Sequence, residues 1–287
     1  MSSLTAYASG TARDSAAPAS SNPGLCIFRT DTKAIEVSDG TAYQTYNSDG
    51  VFVPGVSNSF SGLFDGTDDW INIGNVSNLN SATNFTISVW FKRPSARQDM
   101  LLGGTGTTGI GMYPWSDGKL YVHAGSVNTV NAVLPGEDQW INAVVTRDSV
   151  NTRLYFNGSL AATDTSSTIP STAGNSFSIG NYTQYSNDFL GNIDEVAIWD
   201  ATTLDANNIS AIYNSGLPID LSGNAGSYDQ SSNLTHWYRF GDHASDTGSG
   251  GVAAGNTITN IENAANPGTN DGSTINGTPS FSTTVPS

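Results

Sequence analysis

The chemistry this chain could perform rests on its carboxylates and on a group of aromatics set beside polar turns. Asp194 and Glu195 stand side by side in a predicted strand at 192–196. Retaining glycoside hydrolysis needs two carboxyl groups near enough for one to attack while the other donates a proton. Neighbours on a regular strand point to opposite faces, so these two are predicted not to act as a pair. Asp194 shares its parity with Val196 and Ile198 and reads as an inward polar anchor. The sequence has no Gly-x-Ser-x-Gly elbow and no metal-protease motif, and His123, His236 and His243 are too scattered for a zinc centre. The expectation is a protein without catalytic activity. Sugar recognition is the other candidate chemistry, because it combines aromatic platforms with polar hydrogen-bonding groups. Tyr113, Trp115, Tyr121 and His123 flank a Ser116-Asp117-Gly118 turn, and Tyr182 and Tyr185 fall in a predicted loop before Phe189. These form the candidate glycan rim. Any one of them also suits simple packing, the role expected of Trp70, Trp90, Trp140 and Trp199.

The surrounding elements read as strands. Phe85, Ile87, Val89 and Phe91 share one face of a strand, and Thr86, Ser88 and Trp90 share the other. Ile141, Ala143 and Val145 likewise oppose Trp140, Asn142, Val144 and Thr146. Asn157-Gly158 is a strong hairpin signal, since both residues tolerate a positive φ. Asp205 is placed to N-cap a short helix with Ile209, Ile212 and Tyr213 inside, ended by Gly216. At 287 residues the chain can bury a full core, and only 12% of it is charged. Its net charge of −15 repels phosphates and makes nucleic acid a poor partner. No apolar run reaches membrane-spanning length, so no membrane insertion is expected. Cys26 is the single cysteine and is expected to be a buried thiol.

In order, the segments GLFDGTDDWINIG, NFTISVWFKRP, QWINAVVTRD, TRLYFNGSLAAT, NSFSIGN and FLGNIDEVAIWD closely resemble the laminin-G-like, concanavalin A-like jelly-roll modules of bacteria and viruses. The resemblance implies an all-β fold, an antiparallel jelly-roll β-sandwich, with a small N-terminal β-meander and one short helix. The division expected is an arm at 1–24, a meander at 25–50, the sandwich at 51–220 and a C-terminal segment at 221–287. Glycosidases on this fold carry a Glu-x-Asp-x-x-Glu type pattern, which is missing here. Many relatives hold a structural Ca²⁺, and the resemblance implies Asp65, Asp194 and Asp242 as its ligands. Asp65 and Asp68 serving their own turn, with Asp194 capping a backbone bond, is the alternative. In the family, a strand of the form W-x-F-D opens the module, whereas here LTHWYRFGDH (234–243) comes late. It begins a truncated second module, completes its own sandwich in permuted order, or is lent to a neighbouring subunit; completion is the expectation.

Residues 25–46 resemble a segment of bacteriophage tail, fibre and head-decoration proteins. The first twenty residues lack the basic and apolar regions of a secretory signal. Together these lead to the expectation of a virion structural protein, a head decoration or a fibre or tail appendage. It would attach through residues 1–50 to other virion proteins and to itself as a homo-oligomer, and would display a lectin-like sandwich toward a host-surface glycan. The alternative is a carbohydrate-binding or adhesion module of a bacterial surface protein, located outside the cell.

Overall fold

In a computed structural model, the described residues are 56–104, 109–125, 129–165, 168–170, 176–181, 187–243, 246, 258 and 279–286, with the backbone of short strands at 5–7, 26–29, 34–38, 43–46 and 274–276. Four of those strands, β1 (Thr5–Tyr7), β2 (Cys26–Arg29), β3 (Ala34–Ser38) and β4 (Tyr43–Tyr46), form a small sheet in chain order. β2 to β4 are the three strands expected at 25–46. β1 comes from the segment expected to be only an arm, and it pairs parallel with β2. The Cys26 side chain lies outside the described residues.

The remaining strands build two facing sheets. In chain order they are β5 (Ser61–Asp65), β6 (Trp70–Asn72), β7 (Phe85–Lys92), β8 (Leu102–Gly104), β9 (Ile110–Pro114), β10 (Lys119–Ala124), β11 (Val130–Val133) and β12 (Ile141–Arg147). β13 (Thr152–Phe156), β14 (Ser159–Asp164), β15 (Phe177–Ile179) and β16 (Leu190–Trp199) follow, then helix α1 (Ala206–Tyr213), β17 (His236–Tyr238), β18 (Thr274–Asn276) and β19 (Ser280–Ser282). One sheet runs β11-β10-β9-β8-β15-β6-β18; the other runs β14-β13-β12-β7-β16-β5-β19, with β17 also on β16. Apart from β1 on β2, every strand pair is antiparallel.

The predicted alternation sorts the core. Phe85, Ile87, Val89 and Phe91 from β7 and Ile141, Ala143 and Val145 from β12 face Met112, Leu120 and Val122 of the other sheet. A second apolar layer covers the outer face of the β12-β7-β16 sheet. There Val144, Ala197 and Trp199 meet Ile209 and Ile212 of α1 and Tyr228, Leu234 and Trp237 of the segment after it. Asp205 caps α1 as expected, its side chain accepting from the Asn208 amide at 2.8 Å. The chain leaves the helix earlier than expected: Asn214 (φ 44) already takes the left-handed conformation, two residues before Gly216.

β16 explains how the C-terminal segment joins the sheet. Along one edge, β5 pairs with residues 190–193, and β17 then pairs with residues 196–198. The two partners lie end to end. Phe240, which follows β17, packs so closely on Gly62 of β5 that a Cβ there would stand 2.8 Å from its ring. β18 and β19 add further pairs, on β6 and β5.

Candidate functional site

The aromatic candidates gather on the β9–β10 hairpin. Ile110 and Met112 of β9 and Leu120, Val122 and Ala124 of β10 point into the core, which leaves Tyr113, Tyr121 and His123 on the outer face. Tyr113 and Tyr121 are direct cross-strand partners and stack with centroids 5.7 Å apart. Trp115 meets both edge-on, at 6.0 and 6.2 Å. The Tyr113 hydroxyl is hydrogen-bonded to His123 Nε2, with the rings perpendicular. The tight turn sets this geometry. Trp115 N–H donates to the Lys119 carbonyl at 2.8 Å, and Gly118 takes the positive φ the turn needs. Asp117 accepts from the Tyr121 hydroxyl at 2.8 Å and from the Lys119 amide at 3.1 Å. The bond to Asp117 pushes the Tyr121 phenol pKa up. Trp115, Tyr121 and His123 are half-buried and Tyr113 is buried, so the cluster offers ring edges and faces beside an exposed carboxylate and ammonium.

A buried ion network braces this cluster from beneath, and nothing in the sequence pattern signalled it. Arg93 donates to the Trp115 carbonyl at 3.4 Å and to Glu137 at 2.7 Å. The Asp99 amide donates to the Pro114 carbonyl at 3.0 Å, and its carboxylate pairs with Arg97 Nε at 2.7 Å. Burial pushes the Asp99 pKa up to about 7, outweighing the Arg97 and Arg93 charges. Arg93 lies 22 residues before Trp115, and Asp99 is likewise remote in sequence from Pro114, so only the fold reveals their role. Tyr182 and Tyr185 lie outside the described residues.

Asp194 and Glu195 depart from the parity expectation. Asp194 pairs with Trp90 and Ala197 with Ser88, so two residues of β16 oppose one of β7. This is a β-bulge, with Glu195 left-handed at φ 47. The extra residue resets the alternation. Ile193 and Val196 both face the core, and Asp194 falls on the outer side with Ala197. Glu195 reaches the same side, where Oε2 accepts from Trp237 Nε1 at 2.6 Å and Oε1 from Arg239 Nε at 2.9 Å. The two acids are therefore neighbours and not on opposite faces. Burial, and then the nearby charge of Glu195, raise the Asp194 pKa; burial raises that of Glu195 against the pull of Arg239.

The bulge sits where β5 gives way to β17, and the network stitches the two together. Asp194 accepts from Asn58 Nδ2 at 3.0 Å and from the Glu195 amide at 2.8 Å. Arg239 Nη2 reaches the Ser57 carbonyl at 2.6 Å, and Asp242 accepts from the Ser59 and Phe60 amides at 2.9 and 3.2 Å. This arrangement does not fit the Ca²⁺ ligand set Asp65, Asp194 and Asp242. Arg239 already supplies the cation, and the carboxylates are taken by protein donors. Asp65 pairs with Leu190, four residues along β16 from Asp194, which is ~13 Å on a strand. Asp65 instead adjoins Asp68 and Asp69, where Asp69 accepts the Asp65 amide and Asp65 the Thr67 amide.

Two facing antiparallel sheets, an aromatic group on one outer face and a helix on the other define a lectin-type β-sandwich. Residues 65–210 match the concanavalin A-like lectin/glucanases superfamily, in its laminin-G branch, over half of the chain, and the protein belongs to that family. No curated protein sequence matches it. Among solved structures it is similar to a candidate carbohydrate binding protein from Bacteroides ovatus, with 17% identity and a TM-score of 0.54, covering 81% of this chain and 62% of that one. It is also similar to the heptameric SAP-like pentraxin of Limulus polyphemus, with 16% identity and a TM-score of 0.42 over 54% of this chain and 82% of that one. The chain thus spans less than two thirds of the Bacteroides protein, and at these identities the likeness is one of fold.

Proposed function

We propose that the protein is a non-enzymatic display module that binds carbohydrate through the outer face of β9–β10 and is carried on a virus particle. The observation that carries the binding role is the assembly of Tyr113, Trp115, Tyr121 and His123 beside Asp117 on one open face. Aromatic rings next to hydrogen-bonding groups are what a sugar ring requires. The similar Bacteroides ovatus fold, described as a candidate carbohydrate binding protein, agrees with this reading. Against catalysis stands the burial of the adjacent acid pair on β16. Asp194 is 0% and Glu195 3% exposed, under Asn58, Trp237 and Arg239, where no glycosidic bond can reach them. The particle location rests on the sequence of residues 25–46 and assigns attachment and self-association to residues 1–50.

A glycan array probed with the whole chain tests the binding role. Trp115→Ala is expected to abolish the bound set, while Asp194→Asn leaves it unchanged. An array on which neither protein binds any glycan rejects carbohydrate recognition at this face. Deletion of residues 1–50 tests the particle role separately. A sandwich that still binds glycan but no longer enters particles is expected, and normal incorporation would remove the attachment role.

A further inference from the structure

On the opposite side of the sandwich, a cleft of about 270 Å³ opens between the β13–β14 turn and the C-terminal end of α1. We propose that this cleft is a second carbohydrate site, built for a single neutral sugar. It does not rest on the β9–β10 reading, because it lies on the other sheet and uses different residues.

The argument starts from the walls. The Asn157-Gly158 turn forms one side, and Ser210, Tyr213, Asn214 and Ser215 form the other. None of the residues lining the cleft is charged. A charged ligand would find no counter-ion there, while a polyol would find amides and hydroxyls. Tyr213 supplies the ring. One face of it is fixed by stacking on buried Trp90, with centroids 5.7 Å apart and an interplanar angle of 22°, so the ring is held rigid at the cleft wall. Gly158 lets the turn close on that ring. A Cβ there would stand 3.1 Å from Tyr213 Cδ1, and the residue has φ 76.

Asn214 points to a ligand most directly. The residue is only 8% exposed and lines the cleft. Its backbone is fixed independently, since the amide N–H donates to the Ser210 carbonyl. A side-chain amide on the wall of a polar cleft can both donate to and accept from a hydroxyl-bearing ligand that enters. Ser215 adds a second sign. It is left-handed at φ 59, a conformation serine seldom adopts, and such strain clusters at binding sites. The volume lies just under the ~300 Å³ at which ordinary small-molecule pockets begin, which suits one sugar ring rather than an extended chain.

The test is a ¹⁵N NMR titration of the whole chain with glucose, galactose and N-acetylglucosamine, each to ~100 mM, an excess that saturates a site with a Kd of about 1 mM. At least one sugar is expected to shift the amides of Gly158, Tyr213, Asn214 and Ser215. Ser210→Phe, which fills the cleft from an exposed helix position, is expected to abolish those shifts. Asn214→Gly keeps the left-handed cap but removes the side-chain amide, and is expected to weaken binding about tenfold, the loss of one good hydrogen bond. Trp115→Ala, on the other face, is expected to leave the shifts intact. The proposal is overturned if none of the three sugars shifts these amides, if the shifts survive undiminished in both cleft variants, or if Trp115→Ala removes them.

Discussion

Strands β10 and β12 show similar alternation, yet their outer faces meet different surroundings. On β10 every second residue stays half-buried, and Tyr121 and His123 stand at the surface. On β12 every residue is buried, because α1 and the segment leading to β17 lie across that sheet. Some polar groups of the covered face bond sideways: Asn142 donates to Ser88 at 3.1 Å, and the Thr86 hydroxyl donates to the Thr202 carbonyl at 2.9 Å. Alternation tells which residues avoid the core. It does not tell whether the other face is wet. The uncovered face keeps its aromatics available, and the covered one uses aromatics and charges to hold the C-terminal segment in place.

The strongest way to break this contrast is to remove the cover. Deleting residues 234–287 takes away β17, β18, β19 and the fully buried Tyr238 and Phe240. The expected loss is of the order of a domain's whole stability, about 5–15 kcal/mol, seen as loss of the cooperative urea transition. A truncated chain with an unchanged melting temperature would show that the β16 edge needs no partner beyond β5.

Arg239→Ala is the next largest. It leaves Glu195 buried without its cation, and destabilisation by roughly 3–5 kcal/mol is expected in urea melts. A change below 1 kcal/mol, to order of magnitude, would mean that the acid simply takes up a proton there.

A pair of tryptophan variants compares the faces directly. Trp90→Ala should cost about 3–5 kcal/mol, since Trp90 is 3% exposed beneath Tyr213. Trp115→Ala should cost under about 1 kcal/mol while changing the glycan profile. Equal losses of stability would erase the distinction between a covered and a working face.

The smallest effect is one of slope. Asp194, Glu195 and Asp99 have raised pKa values, so they hold protons in the folded protein that the unfolded chain has lost. Their stabilisation is complete at low pH and fades as pH rises from about 4 toward 7. His236 works in the opposite sense. Burial lowers its pKa to about 4, so its contribution is present above about 6.5 and is lost as pH falls toward 4. Wild-type stability across that window is the sum of opposed slopes. His236→Gln removes one of them, and stability should then fall with rising pH more steeply, by up to about 1.4 kcal/mol per pH unit. Urea melts at several pH values between 4.5 and 6.5, roughly the interval between the two His236 pKa values, decide this; parallel curves for variant and wild type would place a charged His236 in the folded state.

The sequence alone determined the strands around 85–91 and 141–147 with their inward faces, the Asn157-Gly158 turn, the Asp205 cap and the closeness of Tyr113, Trp115 and His123 about one turn. All of these depend on contacts within a strand, a turn or two adjacent strands, where a period of two and short loops leave few alternatives. The tertiary structure alone decided the side of Asp194 and Glu195. A single left-handed residue between two sheet partners shifted the register, and no local pattern encodes that. The same holds for Arg239 reaching Glu195, for the Arg93 and Asp99 brace under Trp115, and for the separation of Asp65 from Asp194. Each is fixed by strands distant in the chain, and their distances follow only once the sheets have chosen their order.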